Sequence, residues 1–215
     1  MSIADEEKRI FDELKETNPS IVTDGVIDER EYLAARYKIA YILKEVNGGE
    51  GWDLRDVVRA GNRVQTWNSI ARWTEGILSW EKDFLWSDME KDNEARRKTQ
   101  LKKIAVINLK KTSGGYTAEN ELVHKAAVDN ASVIKRQLDL YSPDIIICCG
   151  TESAFVDSCY ADAEPEWKST ARGVWYFMDG ERIIISFVHP EARVRDAFLF
   201  YALTDAAKEI LSNAQ

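Results

Sequence analysis

Cysteine, proline and histidine are scarce in this 215-residue chain, which contains three, four and two of them respectively. An odd number of cysteines, two of them adjacent at Cys148 and Cys149, argues against a disulfide framework and indicates a reducing, cytoplasmic location. The chain has no Cys-x-x-Cys pair, and two histidines offer little to a zinc site. We therefore expect no metal site.

Long apolar runs are also missing. No stretch approaches the roughly 20 apolar residues that a membrane-spanning helix requires. The opening residues, MSIADEEKRI, contain neither a basic nor an apolar segment, so we expect no secretory signal. Glycine and proline are too few for a low-complexity chain, and the length predicts one domain with additions.

Basic residues are outnumbered, since 29 Lys and Arg against 37 Asp and Glu give a net charge of −8. Such a chain should not bind nucleic acid through its overall charge. The acidic excess is local, however, because residues 1–36 contain ten acidic and five basic residues. We therefore predict an acidic helical extension at 1–36, where a protein partner can bind, and a domain at 37–215 that can hold a local basic site.

Four short apolar runs stand out in the larger part of the chain. They are KIAYIL (38–43), IAVINL (104–109), DIIICCG (144–150) and RIIISFV (182–188). Runs without strict alternation are typical of strands that are buried on both faces, as in a parallel sheet. Cys148 and Cys149 lie inside one run and are expected to belong to the core.

Helical patterns precede and separate these runs. Helices are predicted for residues 4–16 and 28–36, and apolar stripes at helical spacing follow at 67–77, 123–138 and 199–210. Alternating strands and helices predict a three-layer α/β/α sandwich around a four-stranded parallel sheet. Sites in such sheets lie beyond the carboxyl ends of the strands.

Polar residues and glycines follow the first run. Glu45 and Asn47 precede Gly48 and Gly49, and a carboxylate there can orient or deprotonate a water. The alternative is an ordinary loop that caps the next helix. Trp52 comes next and can stack on a base, although core packing is an equally good explanation.

The second run ends at Asn108, whose carboxamide both donates and accepts and can therefore read the edge of a nucleobase. Lys110, Lys111 and Ser113 follow in a glycine-containing loop that suits phosphate contact. The alternative is a solvated loop in which Asn108 bonds the backbone.

A histidine follows the fourth run directly. His189 can donate a hydrogen bond to a developing anion, and the nearby Arg193 and Arg195 can contact a phosphate backbone. The alternative for His189 is a structural role. Other catalytic patterns are missing, since the chain has no G-x-S-x-G, Walker A or G-x-G-x-x-G sequence.

This arrangement resembles the uracil-DNA glycosylase superfamily over about residues 38–211. KIAYIL with the following KEVNGG is similar to the superfamily's water-activating motif, and SFVHPEARVR is similar to its motif beginning His-Pro-Ser. INLKK resembles the segment whose Asn reads the base, and PDIIICCG resembles the third strand. The chain departs from the pattern at Glu191, which stands in place of the usual Ser, and around Glu45 and Asn47, where two registers are open.

The resemblance implies a DNA glycosylase of base-excision repair. Such an enzyme hydrolyses the N-glycosidic bond of a flipped-out uracil-like or modified pyrimidine base. Glu45, or Asn47 in the shifted register, would position water, and His189 would stabilise the leaving base. Asn108 would read the base edge and Trp52 would stack on it, and the reaction needs no metal or organic cofactor.

Two alternatives to a DNA glycosylase stay open. One is a catalytically inactive module on the same fold that binds nucleic acid or protein, which the acidic net charge and the altered motifs favour. The other is a hydrolase of free nucleosides or nucleotides, because the modest basicity suits a small substrate. Turnover on free nucleoside and on oligonucleotide separates the second alternative from the DNA enzyme.

Overall fold

The computed structural model describes residues 2–61, 64–115 and 118–213. In chain order its elements are α1 (Ile3–Thr17), β1 (Gly25–Val26), α2 (Glu29–Leu33), β2 (Ile39–Leu43), α3 (Leu54–Arg59), α4 (Val64–Leu78), α5 (Trp86–Met89), α6 (Asn93–Gln100), β3 (Ile104–Asn108), α7 (Asn120–Asp129), α8 (Ala131–Tyr141), β4 (Ile145–Cys149), α9 (Glu152–Cys159), β5 (Lys168–Ser169), β6 (Trp175–Asp179), β7 (Arg182–Phe187) and α10 (Asp196–Asn213). A short 3-10 helix, Leu101–Lys103, leads into β3.

The strands form one seven-stranded mixed sheet in the order β1-β3-β2-β4-β7-β6-β5. Its centre consists of the four predicted strands, β3, β2, β4 and β7, which run parallel. β1 pairs antiparallel with β3 at one side, and β6 and β5 continue antiparallel from β7 at the other. The α/β prediction is confirmed, but the prediction of a four-stranded parallel sheet is wrong, because three outer strands widen the sheet.

The central strands are covered on both faces. In β2, Ile39, Tyr41 and Leu43 belong to one hydrophobic core, and Ala40 and Ile42 belong to another. Helices α3, α4 and α10 contribute to the first core, and α1, α2, α7, α8 and α9 contribute to the second. The chain therefore folds as three layers, which explains why these strands lack polar alternation.

The stripe predicted over residues 123–138 is divided between two helices. Asn130 lies between α7 and α8, and its side-chain Nδ2 donates to the carbonyl oxygen of Leu109 at 3.0 Å. A helix junction at this asparagine thus ties the helical layer to the end of β3. No helix in the described part of the chain has the length and apolar character needed to cross a membrane.

The two adjacent cysteines lie in β4 and are fully buried, which confirms their prediction as core residues. Burial raises the pKa of the Cys148 thiol and of the Cys149 thiol. Both side chains therefore stay protonated and act as small apolar groups, because the nucleophilic form of cysteine is the thiolate.

The acidic extension is built into the same fold as the larger part. β1 forms one side of the sheet, and Tyr32 lies in the second hydrophobic core. The Glu7 carboxylate accepts a hydrogen bond from the backbone N–H of Val26 at 2.9 Å and packs against Gly25, where a Cβ atom would overlap it. The packing is therefore continuous across residue 36, where the sequence predicts a boundary.

Candidate functional site

A cleft of about 670 Å³ opens at the carboxyl ends of the central strands. This volume is typical of a small-ligand site. Six of the residues predicted for the site line the cleft, namely Glu45, Asn47, Trp52, Asn108, His189 and Arg193. The other four lie outside its lining, namely Lys110, Lys111, Ser113 and Arg195.

Strand register explains why residues so distant in the sequence meet. Leu43 at the end of β2 pairs with Asn108 at the end of β3, so Glu45 emerges beside Asn108. β7 is separated from β2 only by β4, and Phe187 pairs with Cys149 at the end of β4. Because neighbouring strands lie about 4.8 Å apart, the three strand ends surround one small space.

The Glu45 side chain is held in place by two contacts. Its Oε2 atom lies 2.5 Å from the Nζ atom of Lys110, and only 7% of the Glu45 side chain is exposed. The carboxylate also packs against Gly114, where an added Cβ atom would overlap both of its oxygens. The carboxylate is thus fixed at the cleft wall, where it can accept a proton from water or face a developing positive charge.

The glycines after Glu45 form a turn against which the side chain of Trp52 packs. Gly48 and Gly49 have φ angles of 77° and 79°, which glycine adopts at little cost. Trp52 Nε1 donates to the carbonyl oxygen of Gly48 at 2.9 Å, and its ring packs against Gly49. The half-buried indole therefore forms one wall of the cleft, while the Asn47 residue before the turn is exposed.

Two residues of the cleft lining each carry a buried polar atom that has no hydrogen-bond partner among the described residues. These atoms are Oδ1 of Asn108, a residue that is 3% exposed, and Nε1 of Trp67, a residue that is 2% exposed. Unpaired buried polar groups are rare in native proteins because each carries a desolvation cost. One acceptor and one donor beside the cleft suit a ligand that brings a complementary donor and acceptor.

His189 is oriented by its own loop. Its Nδ1 atom accepts a hydrogen bond from the backbone N–H of Glu191 at 3.1 Å. A neutral imidazole whose Nδ1 accepts carries its proton on Nε2, so this ring is set up as a donor through Nε2. The Glu191 side chain in turn hydrogen-bonds Thr66 at the start of α4, which ties the loop to the helix beside the cleft.

The predicted phosphate contact of Lys111 is wrong, because this lysine is a structural residue. It is 1% exposed, and its Nζ atom lies 2.9 Å from both carboxylate oxygens of Asp24 and 2.7 Å from Oε1 of Gln137. Burial lowers the pKa of the Lys111 ammonium, and the Asp24 carboxylate opposes that shift. Lys110, the neighbouring lysine, is engaged with Glu45 and with the carbonyl oxygen of Ser113 at 3.4 Å.

Lys111→Met is expected to destabilise the protein strongly. It leaves the buried Asp24 carboxylate without its counter-ion, which typically costs about 3–5 kcal/mol. The free energy of unfolding in urea measures the effect. Lys110→Met serves as the control and should cost less, because Lys110 is 20% exposed and pairs at the cleft wall. Parent-like stability of Lys111→Met would contradict the structural role.

Several residues in the cleft or in the loops beside it lack a signal in the sequence. The first turn of α4 supplies Gln65, Thr66 and Trp67 to the lining, although the helical stripe shows Trp67 only as a core residue. Val194 is 47% exposed between two arginines in the loop that also provides His189. The sequence feature that could have drawn attention to Val194 is its position as an apolar residue between two arginines in RVR.

Comparison with known proteins does not assign the chain to a family. No family model matches it, and no curated protein matches its sequence. Within residues 2–61, 64–115 and 118–213, no group of three or more His, Cys, Asp and Glu side chains is placed to hold a metal ion. Function therefore has to follow from the chemistry of the cleft.

Proposed function

We propose that this protein is a divergent member of the uracil-DNA glycosylase superfamily. In this proposal it hydrolyses the N-glycosidic bond of a flipped-out uracil-like or modified pyrimidine base in DNA. The observation that carries the proposal is the convergence of Glu45, Asn108 and His189 on one cleft from the ends of three strands. A water-activating group, an edge-reading amide and a donor to the leaving base are the parts that this hydrolysis needs.

The reaction breaks the bond between C1′ of the sugar and a ring nitrogen of the base. The base leaves with the bonding electron pair, and the sugar gains positive charge that the Glu45 carboxylate stabilises across the cleft. Water then bonds to C1′ and gives its proton to Glu45. His189 donates from Nε2 to an oxygen of the base as negative charge grows there. The products are an abasic site and a free base, which takes up one proton from solvent while Glu45 releases to solvent the proton that it accepted.

Recognition of the base uses the remaining cleft residues. Trp52 offers an aromatic face, and stacking on a base contributes about 1–3 kcal/mol. The unpaired Oδ1 atom of Asn108 accepts from an N–H group of the base, and the unpaired Nε1 atom of Trp67 donates to a base oxygen. A pyrimidine that carries N–H beside a carbonyl group satisfies both atoms.

Contact with DNA is assigned to the loop after His189 and the start of α10. Arg193 and Arg195 are exposed and can neutralise phosphates, as the sequence predicts. Val194 and Phe198 are 47% and 64% exposed and lie in the same stretch of chain as the two arginines. Apolar side chains in such positions can enter the space that a flipped base leaves in the stack.

The test is a screen of single-turnover base release. It uses single- and double-stranded oligonucleotides that contain uracil or a mismatched, deaminated or bulky modified pyrimidine. At least one should yield free base and an alkali-labile abasic site. Release from nucleosides alone would favour the nucleoside hydrolase, and DNA binding without any release would favour the inactive binding module. A protein partner at the acidic helices and a cytoplasmic location stay predictions.

Gly114→Ala is expected to slow base release by about 100-fold, because misplacing a catalytic group by about 1 Å costs that much. The added Cβ atom would overlap the Glu45 carboxylate and displace it from its present position. Gly115→Ala is the matched control, since nothing lies within 4 Å of a Cβ atom at Gly115. Single-turnover rates of base release are measured for both variants. Equal rates would show that the packing of Glu45 against Gly114 does not affect catalysis.

Arg193→Ala with Arg195→Ala should weaken DNA binding and reduce its salt dependence. Each phosphate contact contributes about one unit to the slope of log affinity against log salt, so the slope should fall by up to about two units. Lys82→Ala with Lys102→Ala is the charge-matched control, because Lys82 lies past the far end of α4 and Lys102 lies just before β3. Binding titrations at several salt concentrations measure the slopes. If the slope falls equally in the control pair, Arg193 and Arg195 do not make specific contacts with phosphates.

A further inference from the structure

The Asn108 carboxamide is held in one of its two orientations by a residue from the N-terminal part of the chain. A carboxamide can be turned by half a rotation, which exchanges its oxygen and its nitrogen. Oδ2 of Asp24 accepts from the backbone N–H of Asn108 at 2.7 Å and from its side-chain Nδ2 at 3.3 Å. The turned orientation would place the amide oxygen against the carboxylate oxygen, with no proton between them.

The surroundings of Asp24 keep it an acceptor. Lys111 donates to both of its oxygens at 2.9 Å, and Nε2 of Gln137 donates to Oδ1 at 2.9 Å. Gln137 is itself oriented, because its Oε1 atom accepts from Lys111 at 2.7 Å. Asp24, Lys111 and Gln137 are all at most 1% exposed. Every one of these neighbours donates, so a proton on Asp24 would have no acceptor among them.

We propose that Asp24 is a positioning residue that makes Asn108 present an acceptor, and not a donor, to the cleft. The unpaired Oδ1 atom of Asn108 is the group so presented. The inference rests on the proposed function for the kind of ligand. A pyrimidine with an N–H group at its ring N3, such as uracil, then fits, and cytosine, whose N3 accepts, meets a second acceptor. Through Asp24, the acidic N-terminal part of the chain contributes directly to base selection.

The test compares the binding of free uracil and free cytosine, followed through the fluorescence of Trp52 and Trp67 in the cleft. The parent should bind uracil at least about tenfold more tightly, since cytosine leaves two buried acceptors facing each other without a proton between them. Asp24→Leu combined with Lys111→Met removes both buried charges and also the oxygen that accepts from Nδ2, so that Asn108 can turn. The affinities of this double variant for uracil and cytosine should differ by no more than about threefold.

The ratio of the affinities for uracil and cytosine distinguishes a positioning role of Asp24 from a role in protein stability alone. A variant that is only partly folded binds both bases more weakly by the same factor, so the ratio does not change. Gln137→Met is the control, because it disturbs the buried network but leaves Lys111 paired with Asp24 and leaves the contact between Asp24 and Asn108 in place. It should keep the parent ratio. Asp24→Ala combined with Lys111→Met is the second variant if the first double variant does not fold, and it should lose the preference too.

Two outcomes overturn the inference. They are an unchanged ratio in the Asp24→Leu and Asp24→Ala double variants and equal binding of both bases by the parent. Base release from DNA is measured separately on the same proteins. A parent that prefers uracil, loses this preference in those double variants and yet releases no base would support the positioning role and contradict only the glycosylase proposal.

Discussion

Glu45→Gln is expected to slow single-turnover base release by at least about 100-fold, with a much smaller effect on DNA binding. The amide keeps the shape of the side chain and can still accept from Lys110, which lies 2.5 Å away in the parent. It removes the negative charge that faces the sugar and the basicity that takes the proton of water. General acid–base groups typically contribute about 100- to 10,000-fold. Release of labelled base and fluorescence anisotropy of the DNA measure the two effects.

Asn47→Ala is the comparison that decides between the two registers of the water-activating motif. The Glu45 side chain is anchored and 7% exposed, whereas Asn47 is exposed and meets the opposite loop through a backbone bridge to Gly114. We therefore expect Asn47→Ala to cost much less than Glu45→Gln. A larger loss for Asn47→Ala would transfer the water-positioning role to Asn47.

His189→Ala is expected to reduce base release by about 100- to 1,000-fold, because it removes a hydrogen-bond donor to the departing base. Loss of one such donor costs about 2.7–4 kcal/mol in the transition state. The substitution also removes Nδ1, which accepts from the Glu191 amide, so circular dichroism checks that the fold is intact. DNA affinity should change little, since the donor acts mainly on charge that develops during the reaction.

The chain contains its own control for this substitution. His124, its other histidine, is 42% exposed in its side chain and pairs with Asp157 at 3.2 Å, outside the cleft lining. His124→Ala should release base at the parent rate. Parent rates for both Glu45→Gln and His189→Ala, with circular dichroism showing intact folds, would place base release outside this cleft.

The four central strands can be predicted from the sequence because burial on both faces leaves an unmistakable apolar run. The outer strands cannot. Gly25–Val26 is too short to form a pattern, and in Trp175–Asp179 only Phe177 is buried. Such strands exist because neighbouring strands supply their hydrogen-bond partners, a tertiary cause that local sequence does not contain.

The site shows the same division between local and distant causes. Glu45, Asn108 and His189 follow apolar runs, so their placement at one side of the sheet can be predicted. Lys110 and Lys111 look alike in sequence, but successive residues of an extended chain point in opposite directions, and one meets Glu45 while the other meets Asp24. Which lysine is buried depends on a partner 87 positions away, which spacing cannot reveal.

The two-residue strands at the edges of the sheet also limit aggregation between copies of this protein. Unpaired N–H and C=O groups of an outer strand can template pairing with another molecule and start aggregation. Here β1 and β5 each offer only two residues, and the backbone N–H of Val26 in β1 is already bound by the Glu7 carboxylate. A core of isoleucine-rich strands, itself prone to aggregate, is thereby shielded from edge-to-edge association.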